Sequence, residues 1–206
     1  MDKEISKMFK DKNKEVFINS LTVGMERNLE SLKNTTDNCV SLEINKLYLF
    51  FINYFQEIDL EYSKEALLGL LFKEKKKLND LVNNKIEEKK QNIKNNFLSN
   101  IEEVDDDFVE KYYEELKKET ERINEDIDLL LKEEIRTQFS NDVTTKFKLD
   151  KEEQVERIHS RINVLFSDSV ISRIKEQTKF RDDSLKNMAK ESYEKYLDIN
   201  KSTIEN

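Results

Sequence analysis

Proline is missing from all 206 positions of this chain, and glycine occurs only twice, at Gly24 and Gly69. A globular domain of this length ordinarily holds roughly ten prolines and fourteen glycines. These are the residues that break and turn a backbone. Their scarcity leaves little to oppose helix formation, and it removes the glycine-rich loops from which phosphate cradles and strained catalytic turns are built.

Other shortages exclude further classes. The single cysteine, Cys39, cannot form an internal disulfide, which fits a reducing compartment. There is no tryptophan and one histidine, His159. The longest apolar run, Leu47 to Phe55, is interrupted by Asn53 and falls well short of the roughly twenty residues a membrane span needs. The opening Met1-Asp2-Lys3-Glu4 has no apolar signal segment. The expectation is a cytoplasmic protein. The formal charge of −8 opposes nonspecific nucleic-acid binding, which needs a basic surface to neutralise phosphates.

What is abundant is charge, on 39% of residues, against a hydrophobic share of 36%. That balance suits narrow apolar stripes on helices better than a thick core. It also borders on the composition of disordered chains, but the apolar residues are periodic and include twelve Phe and seven Tyr. The expected fold is all-α: an elongated helical bundle in which a long antiparallel coiled-coil hairpin, about 64–103 and 107–140, projects from a smaller helical base.

The base is assigned to 1–62 and 150–200, the hairpin to 63–140, a non-helical connector to 141–149 and a frayed tail to 201–206. In the first helical segment the pattern is modestly regular, with an interruption expected near Gly24. A turn is expected at Asn34-Thr35-Thr36-Asp37-Asn38, whose side chains compete for backbone hydrogen bonds. Ser63 reads as an N-cap. Leu67, Leu71, Leu78, Val82, Ile86, Ile93, Phe97 and Ile101 form one stripe; Val109, Tyr113, Leu116, Thr120, Ile123, Ile127 and Leu130 form the next. A shift to Leu131, Ile135 and Phe139 reads as a heptad stutter.

Charge supports the pairing of these two stripes. Between Lys73 and Asn95 eight basic and four acidic residues give +4, and positions 113–135 hold nine acidic and four basic residues, giving −5. Opposite signs flanking a seam set register and orientation. Val143, Thr145, Phe147 and Leu149 alternate as a strand would, though a structured loop is the expected form. Asp150 with Glu153 resembles a capping box. A break is expected at Ser167-Asp168-Ser169, and a sparse stripe between Lys175 and Ser184 suggests an exposed or kinked stretch.

Chemistry-bearing constellations are few. Glu156 and His159 share a helical face, as in bundle-type di-iron proteins, but a second such pair needs a second histidine. Cys39 has no base placed beside it by the sequence. Asp105-Asp106-Asp107 lacks the spacing, glycine and distal glutamate of a calcium loop. No catalytic, cofactor-binding or metal-ligating residues are therefore assigned, and no cofactor is expected.

Gly69 beside Ala66 suggests close approach of another helix, so that Gly69→Leu should destabilise the fold. The aromatic cluster Phe50, Phe51, Tyr54, Phe55 and the cluster Lys73, Lys75, Lys76, Lys77 are the candidate partner-binding residues. The functional expectation is a non-enzymatic helical protein that binds another protein or itself, such as an assembly scaffold or inhibitor of a phage or mobile element. Two alternatives stand beside it: a membrane-active oligomer using residues 47–55, although a membrane partner is disfavoured, and a metal-binding bundle.

Overall fold

The computed structural model describes residues 2–101, 104–165 and 171–205. The protein is all-α, and no strand occurs among the described residues. Helix α1 spans Asp2–Glu57, α2 Lys64–Asn96, α3 Phe108–Glu133, α4 Ser140–Lys146, α5 Glu152–Asn163 and α6 Ile171–Glu205. A 3-10 turn covers Leu98–Asn100, and a π-helical segment, Glu134–Phe139, joins α3 to α4.

Helix α1 continues through both Gly24 and the expected turn at 34–38. The capping side chains there are satisfied without ending the helix. Thr36 Oγ1 donates to the Leu32 carbonyl at 2.9 Å, and Ser41 Oγ to the Asp37 carbonyl at 2.7 Å. The Asp37 carboxylate accepts from Asn79 Nδ2 on α2.

Two helices end on residues that take over the work of glycine. Asp59 (φ 52°) and Lys148 (φ 52°) lie in the left-handed region. Leu60 N–H donates to the Phe55 carbonyl at 2.8 Å and Asp59 N–H to Gln56 at 3.2 Å; Leu149 N–H donates to Thr144 at 2.8 Å and Lys148 N–H to Thr145 at 3.3 Å. Both ends are Schellman motifs built without glycine. At the start of α2, Ser63 Oγ accepts from Ala66 N–H at 3.2 Å, the N-cap expected there.

Several expected boundaries move. Helix α2 ends at Asn96 rather than 103. Residues 141–146 of the expected connector are helical. Their apparent alternation is a helical i, i+4 pair: Val143 is fully buried and Phe147, just after the helix, is nearly so. Asp150 does not cap α5, whose N-cap is Lys151. Helix α6 continues through 201–205. The expected break at 167–169 lies outside the described residues, as do the side chains of Leu131 and Ile135.

The chain divides into two compact units. One comprises Met1–Ser31, Glu87–Glu121 and Thr178–Asn206. Its core gathers Phe17, Leu21, Met25, Ile93, Phe108, Tyr112, Leu116 and Leu185. Phe17 stacks on Tyr196 at 5.3 Å and meets Phe108 edge-on at 5.6 Å, while Phe97 stacks on Phe108 at 6.0 Å. The buried Tyr112 hydroxyl donates to the Leu21 carbonyl at 3.1 Å, and burial raises its pKa. Lys94 pairs with Glu26. Here α1 meets α2 at Glu26 and Lys94 and meets α3 at Leu21 and Tyr112, and Phe97, just past α2, packs on Phe108. The helices pack as a bundle, and the long coiled-coil hairpin expected from the sequence is not confirmed.

The other unit comprises Leu32–Ile86 and Arg122–Gln177. Val40, Leu47, Phe51, Phe55, Leu67, Ile123, Ile127, Val143, Ile158, Ile162 and Ile174 are fully buried in it. Lys77 on α2 pairs with Glu134, in keeping with the opposite charges of the two stripes. This unit holds every candidate partner-binding residue.

Candidate partner-binding surfaces

The last turns of α1 carry four aromatic residues on different faces. Phe51 and Phe55 are completely buried. The Phe55 ring meets Tyr62 at 4.9 Å and Phe147 at 5.0 Å. These two belong to the core and present nothing to a partner, which corrects their assignment as contact residues. Tyr54 is buried as well, 3% exposed, and its assignment as a contact residue is corrected likewise; of the four, Phe50 alone stays partly accessible. Phe50 is half-buried, and it stacks on Tyr54 with centroids 5.5 Å apart and ring planes at 9°.

Helix α5 supplies cations above this aromatic pair. The Arg157 guanidinium lies 4.6 Å from the Tyr54 ring centroid, and that of Arg161 lies 5.8 Å from Phe50. Arg157 also grips Glu57 through two hydrogen bonds, 2.7 and 2.8 Å. That pairing holds the Glu57 carboxyl below the ordinary carboxylate range. Burial raises the Tyr54 phenol, with the Arg157 charge acting in the opposite sense. The arrangement borders a groove of about 290 Å³ lined by Lys46, Leu49, Phe50, Asn53, Tyr54, Glu57, Arg157 and Arg161. Leu49 stands 60% exposed at its rim. Lys46 binds the fully buried Glu43 at 2.8 Å, and Arg173 reaches the same oxygen at 3.4 Å.

The four lysines of α2 do not form one patch, since residues one apart on a helix point about 100° apart. Lys73 and Lys76 are exposed, while Lys75 and Lys77 are half-buried. Lys77 Nζ donates to Glu134 and, at 2.9 Å, to Gln138 Oε1. It is thus a structural cation tying α2 to the π segment. Beside it Glu74 is buried with Oε1 lacking a hydrogen-bond partner. Burial first, and the Glu134 carboxylate second, push the Glu74 carboxyl up to about 7, against the pull of Lys77.

Lys73 lines a wider groove of about 580 Å³ with Ala66, Gly69, Leu70, Asn141, Asp142, Thr145 and Lys146. A Cβ added to Gly69 meets no atom within 4 Å. The expected close helix approach at Gly69 does not occur among the described residues. Leu68 and Phe72, outside the residues expected to bind a partner, are 48% and 69% exposed. The signal was available: they are i, i+4 neighbours lying off the Leu67, Leu71, Leu78 stripe.

The remaining chemistry-bearing residues stay apart. Glu156 is exposed; His159 is half-buried, with Nε2 enclosed and unpartnered. Cys39 is buried. Among the described residues no group of three or more His, Cys, Asp or Glu side chains is placed to hold a metal ion. No helix among them is long and apolar enough to cross a membrane. Comparisons with protein-family models, with curated proteins and with solved structures give no match.

Proposed function

We propose that this chain is a non-enzymatic helical interaction protein and that its partner, another protein, docks in the groove between the end of α1 and α5. The observation that carries the reading is the half-buried Phe50 ring, stacked on the buried Tyr54, with a guanidinium over each ring and Leu49 exposed beside it. Aromatic residues and arginine dominate the energetic centres of protein interfaces. The groove rests on two helices of one unit, so its geometry exists before any partner arrives, which lowers the ordering cost of binding.

The membrane-active alternative is less well supported. Inserting residues 47–55 would require withdrawing Leu47, Phe51 and Phe55 from a core in which each is completely buried.

Affinity capture from the native host, with wild type and Leu49→Asp side by side, tests the reading. Leu49 is exposed, so the substitution leaves the fold intact, as an unchanged melting curve will verify. A partner held by wild type and lost by the variant is the expected result. Equal retention of every captured protein by the variant sinks the proposal.

A further inference from the structure

We infer that the α1–α5 groove accepts an acidic segment of its protein partner, anchored by an apolar side chain against Leu49 and Phe50. This rests on the interaction reading above and names the chemistry of its partner.

The charge of the groove runs against that of the chain. The molecule carries −8 overall, yet Lys46, Arg157 and Arg161 line this groove against the single carboxylate of Glu57. Glu153, one turn before Arg157, adds negative charge near the edge, where it acts on Tyr54 and Arg157. Two of the three cations already have partners: Arg157 holds Glu57, and Lys46 holds Glu43. Among the described residues the Arg161 guanidinium has no carboxylate partner; it lies 5.8 Å from the Phe50 ring centroid.

A guanidinium lying over an aromatic face keeps its N–H fork at the ring's margin, in a geometry that matches a carboxylate bidentately. The exposed Leu49 beside it favours an apolar neighbour in the incoming segment. Together these features fit a peptide in which a glutamate or aspartate is adjacent to a leucine-like residue. They do not suit a nucleic acid, whose regular phosphates require a broader basic track than one unpaired arginine.

The experiment is fluorescence anisotropy with two labelled probe peptides, one of glutamate and leucine and the other with every glutamate replaced by lysine. Each is titrated with wild type, Arg161→Glu, Arg161→Gln and Lys12→Glu. The last makes the same charge change on an exposed residue of α1 outside the groove. The acidic peptide should bind wild type and Lys12→Glu alike. Arg161→Glu should weaken it by about tenfold or more and improve binding of the basic peptide, with Arg161→Gln intermediate.

No binding of the acidic peptide to wild type overturns the inference. So does equal weakening by Arg161→Glu and Lys12→Glu, which would mark a long-range field instead of a site. Preferential, Arg161-dependent binding of single-stranded oligothymidylate, run as a competitor, overturns it in favour of nucleic acid. If any of these occurs while Leu49→Asp still loses the host partner, the groove stands and only its acidic preference fails. If Leu49→Asp keeps the partner, the interaction reading itself fails.

Discussion

Arg157 and Glu57, 100 positions apart in sequence, are joined by two hydrogen bonds that fix the guanidinium above Tyr54. Both side chains are about half exposed, 49% and 55%, so water screens their attraction and the pair adds little to stability. Its effect is positional: it aligns α5 with the end of α1. Arg157→Lys keeps the charge but cannot reproduce the fork. The variant should melt close to wild type and bind the host partner several-fold more weakly. Unchanged affinity in that variant would remove Arg157 from the site.

Glu74 makes stability depend on pH. Its carboxyl is raised from 4.5 to about 7 in the fold, so the folded state retains a proton that the unfolded chain releases. The stabilisation is fully present below about pH 4.5 and is lost as pH rises through about 7. Glu74→Gln removes this dependence. It should be more stable than wild type at about pH 8 by on the order of 3 kcal/mol and similar to it at about pH 4. Urea unfolding at both pH values is the check, and a difference that does not change with pH contradicts the assignment.

Gly69 lies in a helix interior with open space where a Cβ would stand. Gly69→Ala should therefore stabilise the protein, by about 0.5–1 kcal/mol, through helix propensity and reduced freedom of the unfolded chain. The sequence alone led to the opposite expectation for a larger residue, because an interior glycine often marks a helix crossing. A lowered unfolding midpoint for the alanine variant would restore that crossing.

Lys148 adopts φ 52° at the end of α4, a conformation unfavourable for a side chain with a Cβ. Lys148→Gly should gain about 1 kcal/mol, since the Schellman hydrogen bonds are made by the backbone and remain. A loss of stability would mean that the lysine side chain contributes contacts outweighing the strain.

The helical class was legible because only two glycines and no proline stand against it. Ser63 was legible as a cap because its hydroxyl stands just ahead of an apolar helical stripe. The turn expected at 34–38 failed for a reason no local pattern reveals: Asp37 finds Asn79 on another helix, and Thr36 bonds back to Leu32. The opposite charges of the two stripes are met at Lys77 on α2 and Glu134 in the π segment. Charge alone could not disclose that α1 meets α3 through the Tyr112–Leu21 hydrogen bond.

At the candidate site, periodicity found the aromatic segment but could not sort its faces. Phe51, Tyr54 and Phe55 are buried and Phe50 is half-buried, with Arg157 over Tyr54 and Arg161 over Phe50. The arginines come from a helix about a hundred residues away, and only folding brings them to the rings.

The central claim, that the α1–α5 groove is the docking surface, has a direct competitor in the exposed Leu68–Phe72 pair on α2. Quantitative capture of the host partner by wild type, Leu49→Asp and Phe72→Asp separates them in one measurement. Loss with Leu49→Asp and retention with Phe72→Asp is the predicted result. Retention with Leu49→Asp and loss with Phe72→Asp would contradict the account and move the interface to α2.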